Sequence, residues 1–280
     1  MVGGLYGNVE ALAALSTLAA REDGPAMVVF NGDFHWFDTA SADFHEIAEG
    51  ARRYSRLRGN VETEIAGEDS GAGCGCAYPL DVSDAEVSRS NVILGQLRAT
   101  SRQFPAEREV LARLPMNLVA RVGEARIGIV HGDAASLAGW GFAHDRLDDR
   151  AHAHWIESAF RDAQVDVFAS THTCLPAFRH FELAHGAGIV ANNGAAGMPN
   201  FAATDYGLVT RIAKSASRQR LFGLQAHGVH VEALPLPFDR ARWIERFSAA
   251  WPEGSPAHAS YYRRIANGPR FSLSQAEPRL

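Results

Sequence analysis

An α/β fold with a polar site along the C-terminal edge of its sheet is what this sequence predicts, and three observations carry it. Strand-like and helical runs alternate through the first two-thirds of the 280 residues, the signature of α/β proteins. Four short apolar runs each deliver a polar side chain just past their ends. Residues 26–30 lead to Asp33, the run at Leu57 to Asn60, residues 127–130 to His131, and residues 165–170 to His172. Open α/β sheets build their sites at such strand tops. The hydrophobic fraction of 46% and charged fraction of 21% suit a soluble globular chain with one substantial core.

The elements follow in order. Gly3-Gly-Leu-Tyr-Gly-Asn8 reads as a tight turn into a helix over 9–20, with Leu12, Leu15 and Leu18 at helical spacing. Asp23-Gly-Pro25 stops it. A strand ending at Phe30, the Asp33 loop and a helix over 43–54 complete a β-α unit. Residues 67–79 form a glycine-rich loop holding Cys74 and Cys76, and a helical pattern follows over 83–104, with Val87, Ile93, Leu94 and Leu97 apolar. Residues 110–130 read as a short helix, a break at Pro115, and two strands hinged at Gly123-Glu124. A helix over 148–163, capped by Asp148, runs into the strand before His172. From 181 to 233 the pattern is β, with strands over 188–191, 206–212, 220–225 and 229–233. Residues 238–247 form an amphipathic helix, and the last 30 residues read as peripheral. Only two residues precede Gly3, so the first strand is expected to be stunted. No linker interrupts the chain. The prediction is one domain over 1–280, with the glycine/cysteine-rich loop and a helical insertion at about 62–110.

The formal charge of −5 and the lack of any basic run exclude a general nucleic-acid binder; Lys214 is the sole lysine. No run approaches the roughly 18 apolar residues of a spanning helix, and no signal-peptide pattern opens the chain. A cytoplasmic protein with reduced cysteines is expected, since three cysteines cannot all pair within one chain. A homo-oligomer is compatible with the sequence. Carboxylate, amide oxygen and imidazole together suit a divalent metal, so a metal-dependent hydrolase is the first expectation.

Taken together, Gly32-Asp33, Gly59-Asn60, Val130-His131-Gly132 and Thr171-His172-Thr173 resemble the calcineurin-like metallophosphoesterases in order and spacing. The opening Gly7-Asn8 turn, the stretch from Asn192-Asn193 to Pro199, and residues 235–239 before the last predicted helix add to the likeness. It covers roughly residues 3–250. A bacterial branch with a Gly-Gly-x-Tyr-x-Asn opening and a Cys-Gly-Cys loop is more similar still. The resemblance implies a four-layer α-β-β-α sandwich holding two metals that share one carboxylate and a hydroxide. It carries over unevenly. For the second metal it implies Asp33, Asn60, His131 and His172 as ligands. For the first, the positions of an Asp and two His are Gly4, Tyr6 and Cys174, and the leaving-group His position is Val61. One tightly bound divalent ion (Mn, Fe or Zn) is therefore expected more readily than two. Asn8, Asn192 and Asn193 are the implied substrate-binding residues.

The expected function is a phosphoesterase that hydrolyses a small phosphomonoester or phosphodiester, nucleotides included, with a metal-activated hydroxide. Asp33, His131 and His172 would carry the chemistry. The alternative is a degenerate member that binds a phosphorylated ligand or a protein partner. A thiol-based redox or metal-sensing role would rest on Cys74 and Cys76, and a rebuilt first site on Tyr6 with Cys174. Candidate proton donors are Tyr6, His35 and Asp133. Cys74 and Cys76 otherwise read as a flexible lid, His144, His152 and His154 as surface, and Trp140 and Phe142 as cleft-lining.

Overall fold

Two glycines and a left-handed Tyr6 (φ 57°) fold the opening turn back on itself. Asn8 then caps α1 (Val9–Ala19), its Oδ1 accepting the Ala11 N–H at 3.0 Å. The first β-α-β unit follows as β1 (Val29–Asn31), α2 (Ser41–Ala51) and β2 (Ser55–Leu57), with β1 and β2 parallel. Three helices separate β2 from the next strand: α3 (Asn60–Ala66), α4 (Asp84–Ser101) and α5 (Pro105–Ala112). The chain continues through β3 (Asn117–Val122), β4 (Ala125–Val130), α6 (His144–Leu147), a 3-10 turn at Arg150–His152, α7 (Ala153–Ala163) and β5 (Val167–Ser170). Five strands follow: β6 (Ala177–Leu183), β7 (Gly186–Asn192), β8 (Tyr206–Ala213), β9 (Phe222–Ala226) and β10 (Val229–Pro237). Helices α8 (Arg240–Ala250), α9 (Pro256–Asn267) and α10 (Leu273–Ala276) close the fold. This computed structural model describes residues 1–68, 71, 73–184 and 186–278; Asp69, Ser70 and Ala72 of the predicted loop lie outside them.

The strands form two layers. One is the mixed sheet β3-β4-β5-β7-β6. The other joins the β1-β2 pair to the antiparallel β8-β10-β9 sheet. The join is the opening segment: Val2 bridges Phe30 in parallel, and the Met1 carbonyl accepts the Thr210 N–H at 3.1 Å. The stunted first strand is thus a single bridge that still stitches two sheets together. Alternation then sorts the side chains into layers. Val29, Ile127, Ile129, Val167, Ile189 and Val231 meet between the sheets. Phe30, Leu234 and Leu236 face α1, α2 and α8, while Phe168 and Val190 face Ile156 and Phe160 of α7. The result is the four-layer α-β-β-α sandwich. No described helix is long and apolar enough to cross a membrane.

Three expectations need correction. Asp148 does not cap a helix start; it ends α6, and its carboxylate pairs with the buried Arg179 at 2.6 Å. Strand β6 begins four residues earlier than read, because the buried Arg179 and half-buried His180 interrupt the apolar pattern. The last 30 residues are not peripheral. Trp251 is buried, with its indole N–H on the Phe37 carbonyl, and α9 buries Ala257 and Ile265 against the first core. Its apolar stripe of Ala257, Tyr261 and Ile265 is thin and flanked by arginines, so it resembled a surface helix.

Candidate metal centre

Two loops meet before any ligand is placed. The Gly32-Asp33 loop follows β1, and the Gly59-Asn60 loop follows β2. The buried Glu62 carboxylate holds both, accepting the N–H groups of Asp33 (2.8 Å), Phe34 (3.0 Å), His35 (3.2 Å) and Gly59 (2.8 Å). Sequence reading missed Glu62; its signal is the capping-box spacing from Gly59 to Glu62 at the start of α3. The two motif glycines have a steric reason. A Cβ on Gly59 would lie 2.2 Å from Asp33 Oδ1, and one on Gly32 (φ 95°) 2.5 Å from His131 Nδ1.

Around this hinge four acceptor atoms converge. His131 Nε2 lies 3.0 Å from Asn60 Oδ1, 3.2 Å from His172 Nδ1 and 3.4 Å from Asp33 Oδ1. Ligand atoms of Asp33, His131 and His172 all fall within 4.8 Å of one another, and all three residues are buried. The outward atoms are fixed by backbone carbonyls. His131 Nδ1 donates to Asn31 O (2.9 Å), His172 Nε2 to Cys76 O (3.1 Å), and Asn60 Nδ2 to Cys74 O (3.0 Å). Each carbonyl accepts only, so it sets the tautomer and leaves the inner atom a lone pair. Asp33 Oδ1 is steadied by the Val61 N–H at 3.2 Å. Four lone pairs facing one point repel unless a cation lies between them. Two imidazole nitrogens, an amide oxygen and a carboxylate oxygen match a borderline divalent ion, so the residues present fit a metal.

Without an ion the charges of the set bear on one another. Burial pushes the Asp33 carboxyl up, but the adjoining His131 outweighs it and holds Asp33 below its ordinary range. Burial pushes His131 down, and the Asp33 carboxylate more than reverses this. Burial and the neighbouring His131 push His172 down to about 4, keeping it a neutral ligand. The Asp33 carboxylate is the anionic member of the set.

The centre opens on a cleft of about 240 Å³ whose wall includes Trp36, Val61, Tyr78, Trp140, Tyr261 and Arg264. Tyr6 and Cys174 also line it and meet at 2.9 Å, Oη to Sγ. They do come together in the cleft wall. Burial raises the Tyr6 phenol well above its ordinary range and raises the Cys174 thiol too, so both are neutral. Arg264 donates to the Cys174 carbonyl at 2.6 Å, placing a cation beside them. Cys74 and Cys76 are not a flexible lid: both are buried, their carbonyls hold Asn60 and His172, and Cys76 Sγ also accepts from Asn60 Nδ2 at 3.5 Å.

The three asparagines expected to bind substrate do not reach the cleft. Asn8 donates to Gly197 O (2.9 Å), Asn192 to Phe142 O and Thr173 Oγ1, and Asn193 to Gly3 O and Leu208 O. Fully buried, they tie loops together behind the site. Trp140 lines the cleft, edge-on to the His172 ring at 5.3 Å, whereas Phe142 is buried in the core beneath α7. Among the proposed donors, His35 is fully buried, paired with Asp38 and stacked on Phe44. The Asp133 carboxylate is taken by the N–H groups of Ala135, Ser136 and Gly141. His152 stacks on Trp155 and bonds Gly141 O, away from the centre.

No family model matches the sequence, and no curated protein matches it significantly. Among solved structures, a hypothetical protein from Pyrococcus horikoshii OT3 is 17% identical, with 96% of this chain and 98% of that chain covered and a TM-score of 0.64. A metallophosphoesterase from Sphaerobacter thermophilus is 16% identical, with the same coverages and a TM-score of 0.60. At such identities the likeness speaks for the fold. With the sheet order, the strand-top loops and the converging ligands, it identifies this chain as having the calcineurin-like metallophosphoesterase fold.

Proposed function

We propose that the protein is a metal-dependent phosphoesterase acting on a small phosphomonoester or phosphodiester with one tightly held divalent ion. The observation that carries this reading is the set of four inward lone pairs, each with its outward atom fixed, at the floor of a cleft. Asp33, Asn60, His131 and His172 would hold a manganese, iron or zinc ion, which would supply Lewis acidity toward water and a phosphoryl oxygen. The chain's own residues shape what can react. Trp140 covers His172 and anchors its indole N–H on the Cys76 carbonyl at 3.1 Å, keeping bulk water off one side of the centre. Trp36, Tyr78 and Tyr261 give the cleft flat apolar walls suited to an aryl or nucleoside group.

Proton supply is the weak point. Val61 holds no exchangeable side-chain proton, and the phenol of Tyr6 grips its own because burial raises its pKa. The enzyme should therefore favour esters whose leaving group departs without protonation. With manganese added, p-nitrophenyl diesters are expected to turn over about tenfold or more faster than a nucleoside diester. Val61→His should narrow that gap by accelerating the nucleoside diester. Equal rates for both substrates in the unaltered protein would contradict this chemistry.

The neutral Tyr6–Cys174 pair and Val61 favour one second reading, a non-catalytic protein that binds a phosphorylated ligand in the same cleft. It would be supported by tight, metal-dependent ligand binding with no hydrolysis of any phosphoester.

A further inference from the structure

We infer that the cleft takes a phosphoester bearing a second phosphate, and that Arg263, Arg264 and Arg270 hold that second phosphate beside the metal centre. The inference deepens the proposed phosphoesterase reading and rests on it for the first phosphoryl group.

A second cavity of about 450 Å³ adjoins the cleft and shares Ser260 and Arg264 with it. Its wall also carries Arg263, Asn267 and Arg270, and no carboxylate. Arg264 is fixed in place: Nη2 donates to Cys174 O at 2.6 Å and Nε to Pro199 O at 3.3 Å. Those bonds use two of its five donors and go to neutral carbonyls, so its charge is not answered. Among the described residues, none of the three arginines pairs with an acid. Arg263 and Arg270 are exposed, so the contrast rests on the half-buried Arg264: Arg98, Arg179 and Arg211, all largely buried, each pair with a carboxylate where Arg264 does not.

The helix dipole accounts for part of this, since arginines are favoured in the last turn of α9. It does not account for Arg270, which lies beyond the helix, nor for Arg264 being turned into the cleft wall. Ser260 completes the group. Its hydroxyl oxygen accepts Arg89 Nε at 2.6 Å, leaving its O–H free to donate to an anion. Guanidinium forks fit phosphate oxygens in pairs. In a chain of net charge −5, an acid-free arginine pocket continuous with the metal cleft is a site for a multiply charged anion.

The test is calorimetric titration of metal-stripped protein with pyrophosphate and with orthophosphate at low ionic strength. Wild type is expected to bind pyrophosphate at least about tenfold more tightly than orthophosphate. Arg263→Ala/Arg270→Ala, which alters exposed side chains, should lose about that tenfold, and Arg218→Ala, which removes an exposed arginine remote from both cavities, should keep it. Equal affinity for the two anions, an unchanged pyrophosphate affinity in the double variant, or an equal loss in Arg218→Ala would overturn the inference. Absence of turnover in metal-loaded protein would count against the phosphoesterase reading and leave these titrations standing on their own.

Discussion

His172→Ala is expected to lower divalent-metal affinity by at least about 100-fold and to abolish turnover of aryl and alkyl esters alike. The reason is geometric. His172 Nδ1 is one of four converging ligand atoms, and its ring is held by the Cys76 carbonyl and covered by Trp140. The fold should survive, because the strand behind it is untouched. Competition against a chelating dye, with circular dichroism as the fold control, measures the first effect, and hydrolysis of both ester types the second. Wild-type turnover in this variant would remove the metal from the chemistry.

Glu62→Ala carries the other large effect, and it falls on stability. The carboxylate receives four backbone N–H groups from two loops in the interior. Alanine would leave all four without an acceptor, and each orphaned buried donor costs about 1–3 kcal/mol. Burial and the nearby Asp33 already raise the Glu62 pKa, so removing its charge returns part of that cost. The net loss expected is about 4 kcal/mol, a large fraction of a typical domain's stability. Glu62→Gln keeps one acceptor oxygen and should lose less. Urea unfolding measures both; an unchanged midpoint for the alanine variant would mean the loops are held by something else.

The sequence made the floor of the cleft legible because side-chain chemistry and backbone coincide there. Asp33, Asn60, His131 and His172 each follow a short apolar strand, and Gly32 and Gly59 are required where backbones meet a ligand. What it hid was carried by groups without a recognisable motif. The carbonyls of Asn31, Cys74 and Cys76 set the ligand orientations, and a carbonyl leaves no trace in residue identity. Glu62 looked like one more helix acid. Arg264 sits on a helix with so thin an apolar stripe that it read as surface. Asn8, Asn192 and Asn193 erred the other way: polar and near the motifs in sequence, they spend their amides on loop carbonyls.

In the proposed function four ligands hold one ion beside a first site lost to Tyr6 and Cys174. Counting divalent ions per chain by elemental analysis, in wild type and in Asn60→Ala, tests it most directly. The account predicts one equivalent in wild type after dialysis and essentially none in the variant. Two equivalents that both survive Asn60→Ala would contradict it.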